Sequence, residues 1–481
     1  MMLGFDLFLT RQSRLCVPAQ IRYQLVICTR PKTLVTTPND GILFEWVRAC
    51  CKVMTQSLVP ESDMRRPDVR SHVSVQETTS SVDVYSSTTL LRKDWIGAFK
   101  GVGASSSNKF SYASSACFKS IISFGDSLAD TGNTVYLLPE SRRPPHFTLP
   151  PYGETFFGHP TGRCSDGRLI IDFIAQELGL PFVAPFYGSG RIDGIKGNVS
   201  NFVDGVNFAV VGATALEDSF FNERGVKLPV LNASLVAQMG WFKGFLSKMC
   251  HTSSDCKKYL ESSLVLVGEI GGNDYNHAFF EGIKVAEVQS FAPDVVKTIG
   301  SAIIELINLG AVTLMVPGNC PIGCSTAYLT YFLTRNMGDY DENGCIKWLN
   351  KFAEYHNELL RTELGRIQKL HPHATIIYAD YYNAAMEIYR SPNVFGFGGG
   401  ALKACCGGEG PYNMNFAVQC GYSPSKSCKD PSLYVNWDGV HLTEAAYKRI
   451  ALGLLRGSYT TPRLAATCPR IFYTDSRPYQ Q

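Results

Sequence analysis

Short apolar runs that end on a small or polar turn, with helical spacing between them, recur along this chain and restrict it to one class of fold. Ile121-Ile122-Ser123-Phe124 is the first, β-branched and aromatic, and it breaks at Gly125 with Asp126-Ser127 behind it. Val206–Ala213, Ser263–Ile270, Val312–Val316 and Thr375–Ala379 read the same way. Helical periodicity falls at about 169–178, 234–249, 293–309 and 346–370, and again after Thr443, a good N-cap. Strand alternating with helix implies a three-layer α/β/α domain around a mainly parallel five-stranded sheet. A residue just past the carboxyl end of such a strand faces the crevice where these sheets bind ligands. Ser127 is in that position.

Length and composition bound the rest. The chain has 481 residues, 45% hydrophobic and 18% charged, enough apolar material for one large domain plus an extension. Residues 1–116 lack sustained periodicity and carry patches such as Thr78-Thr79-Ser80-Ser81, so they are expected to be a poorly ordered extension that activity does not need. The folded domain is expected over 117–470, with a tail at 471–481. A formal net charge of +3 and no Lys/Arg run argue against nucleic acid. The apolar region through 293–316 is interrupted by Glu305, Asn308 and Gly310, which excludes a membrane span. Gly396–Ala401 is glycine-rich, but Pro392 precedes it and Cys405-Cys406 follows, the wrong setting for a dinucleotide loop. No cofactor or metal is expected, and a monomer is.

Sixteen cysteines, twelve of them from Cys117 onward, include no Cys-x-x-Cys pair, so disulfides in an oxidising compartment are the better reading than zinc. Cys250 and Cys256, separated by a short polar run, are expected to be bridged. The sequons Asn198-Val199-Ser200 and Asn232-Ala233-Ser234 agree with export. The first residues do not: Met1–Arg11 is short and broken by Asp6, a poor secretory signal. The start is therefore expected to be an alternative or misassigned one, or the product is not exported.

A serine hydroxyl becomes a nucleophile only with a base, a group that orients the base, and donors for the oxyanion. Otherwise Asp126-Ser127 simply caps a helix. Gly212 follows a strand and offers an N–H with no Cβ in the way, and Asn273 follows another and offers an uncharged amide. For the base, Asp438-Gly439-Val440-His441 places a carboxylate three residues before an imidazole, and Asp274-Tyr275-Asn276-His277 has the same spacing. Spacing alone does not choose between them. Position 129 is Ala, so the Gly-x-Ser-x-Gly elbow of α/β-hydrolases is excluded.

Gly125-Asp126-Ser127-Leu128, Gly205–Ala213, Gly271-Gly272-Asn273-Asp274 and Trp437–Thr443, in that order, resemble the signature blocks of the plant GDSL esterase/lipases of the SGNH hydrolase superfamily. One departure is Val211, where a second Gly is common. Pro151-Tyr152-Gly153-Glu154 and Cys405-Cys406-Gly407-Gly408 are further similar to the subgroup with sinapine and acetylajmaline esterases. The resemblance covers about 117–456 and implies a flavodoxin-like SGNH fold and a serine esterase. It implies Ser127 as nucleophile, Asp438 and His441 completing a triad, and an oxyanion hole from the Ser127 N–H, Gly212 and Asn273. It further implies small acetyl, sinapoyl, choline or short acyl lipid esters as substrates, and a secreted or vacuolar location. Acyl transfer through the same intermediate, and a carbohydrate or cell-wall binding protein without turnover, are the alternatives.

Overall fold

The computed structural model describes residues 117–138, 143–188, 202–230 and 232–468. The expected extension over 1–116, the tail at 471–481 and the sequon at Asn198 lie outside the described residues.

Five parallel strands form the centre: β1 (Ser120–Phe124), β2 (Gly205–Asn207), β3 (Ser263–Val267), β4 (Thr313–Pro317) and β5 (Thr375–Ala379). They lie in the order β5-β4-β3-β1-β2, and Thr460–Thr461 pairs antiparallel with the outer edge of β5. The sheet is thus six-stranded rather than five-stranded. Its sixth strand is two residues long and has no apolar run to announce it.

Successive strand residues point to opposite faces, and the two faces have separate cores. Ile122, Phe124, Val265, Val267, Leu314 and Val316 pack on one side with α2 (Leu235–Met249), α4 (Ala292–Leu309) and α5 (Lys347–Leu370). Ile121, Leu264, Leu266, Met315 and Ile377 pack on the other with α1 (Ile170–Glu177), α6 (Tyr381–Arg390) and α7 (Glu444–Leu455). Near-continuous apolar strands are what a sheet covered on both faces requires. After β3 the chain turns into α3 (Gly272–Phe280).

The helix boundaries follow the sequence to within a residue or two, and side chains fix the start of α2 and α7. Ser234 and Thr443 accept the backbone N–H of Ala237 and Ala446 at 3.2 Å each, as N-caps do. The second strand differs more, spanning Gly205–Asn207 instead of running to Ala213. Asn207 ends it: its Oδ1 accepts the Ala209 N–H and its Nδ2 donates to Ala129 O, turning the chain toward the loop after β1.

The chain passes from β1 outward to β2 and then crosses to β3 on the other side of β1, so the carboxyl end of β1 is a switch point where the crevice opens. Ser127 follows β1, Gly212 follows β2 and Asn273 follows β3. The turn-rich segment 144–168 packs beside this crevice. Its Phe147, Tyr152 and Cys164 bury themselves with Trp437, Cys405, Cys406 and Cys420 in a small third core, because the disulfide-linked loops beside His441 offer apolar surface there.

Bridges join Cys117–Cys468, Cys250–Cys256, Cys324–Cys345, Cys405–Cys428 and Cys406–Cys420, the second as expected; Cys164 and Cys320 are free. The first spans 351 residues and the second six. Constraint of the unfolded chain grows with loop length, and a native disulfide is worth about 2–4 kcal/mol. Replacing Cys117 and Cys468 by Ser is therefore expected to lower the guanidinium midpoint more than the same change at Cys250 and Cys256. An equal or smaller loss contradicts this account of the bridge.

Candidate active site

Ser127 sits on a turn that only a small residue can start. Gly125 has φ +142°, and a Cβ there would come within 3.0 Å of Glu269 O. The turn closes through Asp126 N–H to Glu269 O at 3.0 Å and Leu128 N–H to Asp126 Oδ1 at 2.9 Å. Gln238, buried on α2, clamps Gly125 from below: its Oε1 accepts the Gly125 N–H and its Nε2 donates to Gly125 O, both at 2.9 Å.

His441 meets Ser127 from the loop before α7, with 2.8 Å from Nε2 to Ser127 Oγ. Its Nδ1 lies 2.8 Å from Asp438 Oδ2, and Asp438 Oδ1 accepts the Val440 and His441 N–H groups at 2.8 Å each. Thr326 Oγ1 and Ser325 Oγ fix this loop by donating to Asp438 O and Gly439 O. Burial favours a neutral Asp438 carboxyl, but His441 and the two backbone N–H groups outweigh it and hold the pKa well below the carboxylate range. Burial likewise depresses His441, and the Asp438 charge outweighs that, holding the imidazole well above its ordinary value. The Cys164 thiol also faces the ring; burial pushes its own pKa up, so it stays neutral and Asp438 is the charge that matters. An ionised Asp438 requires a proton on Nδ1, which leaves Nε2 of the neutral ring to accept from Ser127 Oγ.

The other carboxylate–imidazole spacing forms no pair. Asp274 accepts the Ala215 and Leu216 N–H groups at 2.7 and 3.0 Å, and His277 Nε2 donates to Gly212 O at 3.1 Å. Both brace the loop that carries Gly212. Asp130 holds its other side, accepting the Val211 N–H at 3.1 Å. Gly212 has φ +79°, and neither its N–H nor that of Ser127 has an acceptor among the described residues. Asn273 is placed differently from the expectation: Nδ2 donates to Asp126 Oδ2 at 3.0 Å and Ala213 O at 3.1 Å, which uses both its hydrogens.

A pocket of about 60 Å³ opens beside Ser127, lined by Asn273, Asn276, Tyr328, Ile322 and Val440 among others. Asp126 and Glu269 adjoin in its wall, and burial raises both carboxyls above their usual range. Among the described residues no group of three or more His, Cys, Asp or Glu side chains is arranged to hold a metal.

The sequence matches the profile of the GDSL-like Lipase/Acylhydrolase family over residues 121–454. A GDSL esterase/lipase of Arabidopsis thaliana is 55% identical over 352 residues, 73% of this chain and 88% of that protein. The chain belongs to this family. It is a carboxylic ester hydrolase by that membership. Sinapine esterase of Brassica napus is 50% identical over 353 residues, again 73% of this chain and 88% of that protein. An acetylxylan esterase of Geobacillus stearothermophilus aligns in structure over 70% of this chain and 93% of its own, with a TM-score of 0.32 and 12% identity, a likeness too weak to carry weight. No helix among the described residues is long and apolar enough to cross a membrane.

Three residues of this GDSL esterase site went unread in the sequence. Gln238 is a polar residue in otherwise apolar surroundings, which is a signal for a buried backbone clamp, whereas Asp130 stands among polar residues and gives no such signal. Tyr152 stood in a recognisable block with no role attached. Gln238→Leu leaves the Gly125 N–H unpaired in the core, at about 1–3 kcal/mol, while Gly125 O keeps the Val210 N–H at 3.1 Å. It is expected to lower the guanidinium midpoint by the equivalent of about 1–3 kcal/mol with an unchanged slope. A wild-type midpoint contradicts the clamp.

Proposed function

We propose that Ser127, His441 and Asp438 form the triad of a serine esterase that cleaves small carboxylic esters through an acyl-enzyme. The observation that carries the reading is the unbroken hydrogen-bond chain from Ser127 Oγ through His441 to an ionised Asp438, beside two unpaired backbone N–H groups. Ser127 Oγ gives its proton to His441 Nε2 and bonds to the ester carbonyl carbon. The carbonyl oxygen takes the negative charge, stabilised by the Ser127 and Gly212 N–H groups. Collapse breaks the bond to the alcohol oxygen, which leaves with the proton from His441. Water then loses a proton to the same nitrogen and attacks the acyl carbon, and Ser127 recovers its proton as the acid departs. Asn273 joins as a third donor by releasing Ala213 O, the longer of its two bonds.

The pocket suits a small group at the reacting carbonyl, and acetyl, sinapoyl and short acyl esters are the classes to assay, the second because a relative half identical to this chain is a sinapine esterase. Secretion accords with the five bridges among the described residues and with Asn232, an exposed sequon residue. The catalytic domain of this reading is 117–470, and a chain beginning at Cys117 behind a foreign signal should turn over esters as the full chain does.

Two sets of measurements test the site. On p-nitrophenyl acetate, His441→Ala should be inactive, Asp438→Asn should lose about 10⁴ in kcat and Asn273→Ala about 10². His277→Ala should stay within about tenfold of wild type, since its one bond to Gly212 O is helped by Asp274 and Asp130. An inactive His277→Ala beside an active His441→Ala overturns the assignment. The second is the pH profile. The base works only when neutral and Asp438 raises its pKa, so kcat/KM should fall on acidification with an inflection above about 6.5, the ordinary histidine value. An inflection below that value contradicts the Asp438–His441 coupling.

A further inference from the structure

The Asp438 carboxylate has a partner that the triad does not use. Tyr152 is 1% exposed, and its hydroxyl lies 2.8 Å from Asp438 Oδ2, the oxygen that also accepts the His441 Nδ1–H. Its hydroxyl also lies 3.0 Å from His146 Nδ1. The direction of each bond is forced. An ionised carboxylate only accepts, so the Tyr152 O–H donates to Asp438; the phenol has one hydrogen, so His146 donates its Nδ1–H to the phenol oxygen. The polarised chain is therefore His146 to Tyr152 to Asp438, with His441 donating to the same carboxylate and accepting from Ser127.

We infer that Tyr152 is a positioning residue of the esterase, which fixes the rotamer of Asp438 and moderates the charge that Asp438 presents to His441. Several features separate this from an ordinary buried phenol. A structural tyrosine needs one acceptor, and a backbone carbonyl serves; this one is aimed at the single oxygen on which the imidazole depends. Its ring is held edge-on against Trp437 at 5.6 Å, next to Asp438 in sequence, inside the small core with Cys405, Cys406 and Cys420. Its backbone is held as well, by Tyr152 N–H to Leu149 O and Gly153 N–H to Ser165 O. The His146 ring lies 5.9 Å from that of Tyr422, on the segment between the bridged Cys406 and Cys420 and Cys428. Burial, then the Asp438 charge, push the phenol pKa well up, so it remains a neutral donor wherever the enzyme works. Burial lowers His146, so its ring is neutral throughout the range in which His441 titrates.

The inference rests on the triad reading, and one experiment separates the two. Tyr152→Phe keeps the ring against Trp437 and removes the hydroxyl. One charge-assisted hydrogen bond corresponds to about a 10- to 100-fold change, so kcat on p-nitrophenyl acetate should fall by that factor with KM nearly unchanged. The acid inflection of kcat/KM should also move to higher pH, because an Asp438 with one donor fewer binds the imidazolium more strongly. Of the other groups facing His441, Ser127, Cys164, Asp126 and Glu269 are untouched by the change, and His146 loses only the acceptor of its Nδ1–H. His146→Ala, at a half-buried ring, should show the same two shifts at about 2- to 10-fold in kcat, and it carries the test should Tyr152→Phe not fold. Wild-type kcat, or a lowered kcat with an unmoved or lowered inflection, overturns the inference. An active His441→Ala measured alongside overturns the triad reading instead.

Discussion

A buried carboxylate that stays ionised is costly, and the arrangement around Ser127 depends on one. Removing Asp438 from water costs several kcal/mol, so the charge persists only where donors replace the solvent. Four do so: the N–H groups of Val440 and His441 on one oxygen, the His441 ring and the Tyr152 hydroxyl on the other. The first two are local and come from a loop of fixed length. Tyr152 comes from 286 residues earlier, and its position is set by the third core and its disulfides. The charge at Asp438 in turn decides the tautomer of His441 and so the direction in which Ser127 can lose its proton.

The opposite face of the site is fixed by carboxylates turned to a different use. Asp130 and Asp274 are fully buried and accept backbone N–H groups around the Gly212 loop, while His277 takes its carbonyl. Three side chains from two strand ends thus hold the loop that carries the Gly212 N–H, which has no acceptor among the described residues. Pre-set donors of this kind need no reorganisation when charge develops on a carbonyl oxygen, which is where electrostatic stabilisation is strongest. Asn273 differs, because its amide is already engaged and must exchange a partner to join them.

Much of this was legible before any coordinate. Strands buried on both faces announce themselves as short apolar runs, and β1, β3, β4 and β5 fell where those runs are. The edge strand Thr460–Thr461 did not, since pairing along two residues leaves no pattern. The end of β2 was hidden too, because the Asn207 side chain, not the apolar content of residues 208–213, turns the chain. Within the site, Ser127, Gly212, Asn273 and the two carboxylate–imidazole pairs could be named from type and place. Choosing His441 over His277 needed the ordered blocks, since the two spacings are the same and only the fold brings one of them to Ser127. Tyr152, Gln238 and Asp130 act across 286, 113 and 81 residues, and local pattern carries no distance of that kind.

The account's central claim is that Ser127 is activated by His441, and covalent capture tests it most directly. Purified protein treated with a p-nitrophenyl phosphonate ester should release one equivalent of nitrophenol and carry a single phosphonyl adduct, found by peptide mass spectrometry on Ser127. His441→Ala treated in the same way should stay unmodified. An adduct on another residue, or a Ser127 that reacts equally well without His441, would contradict the account.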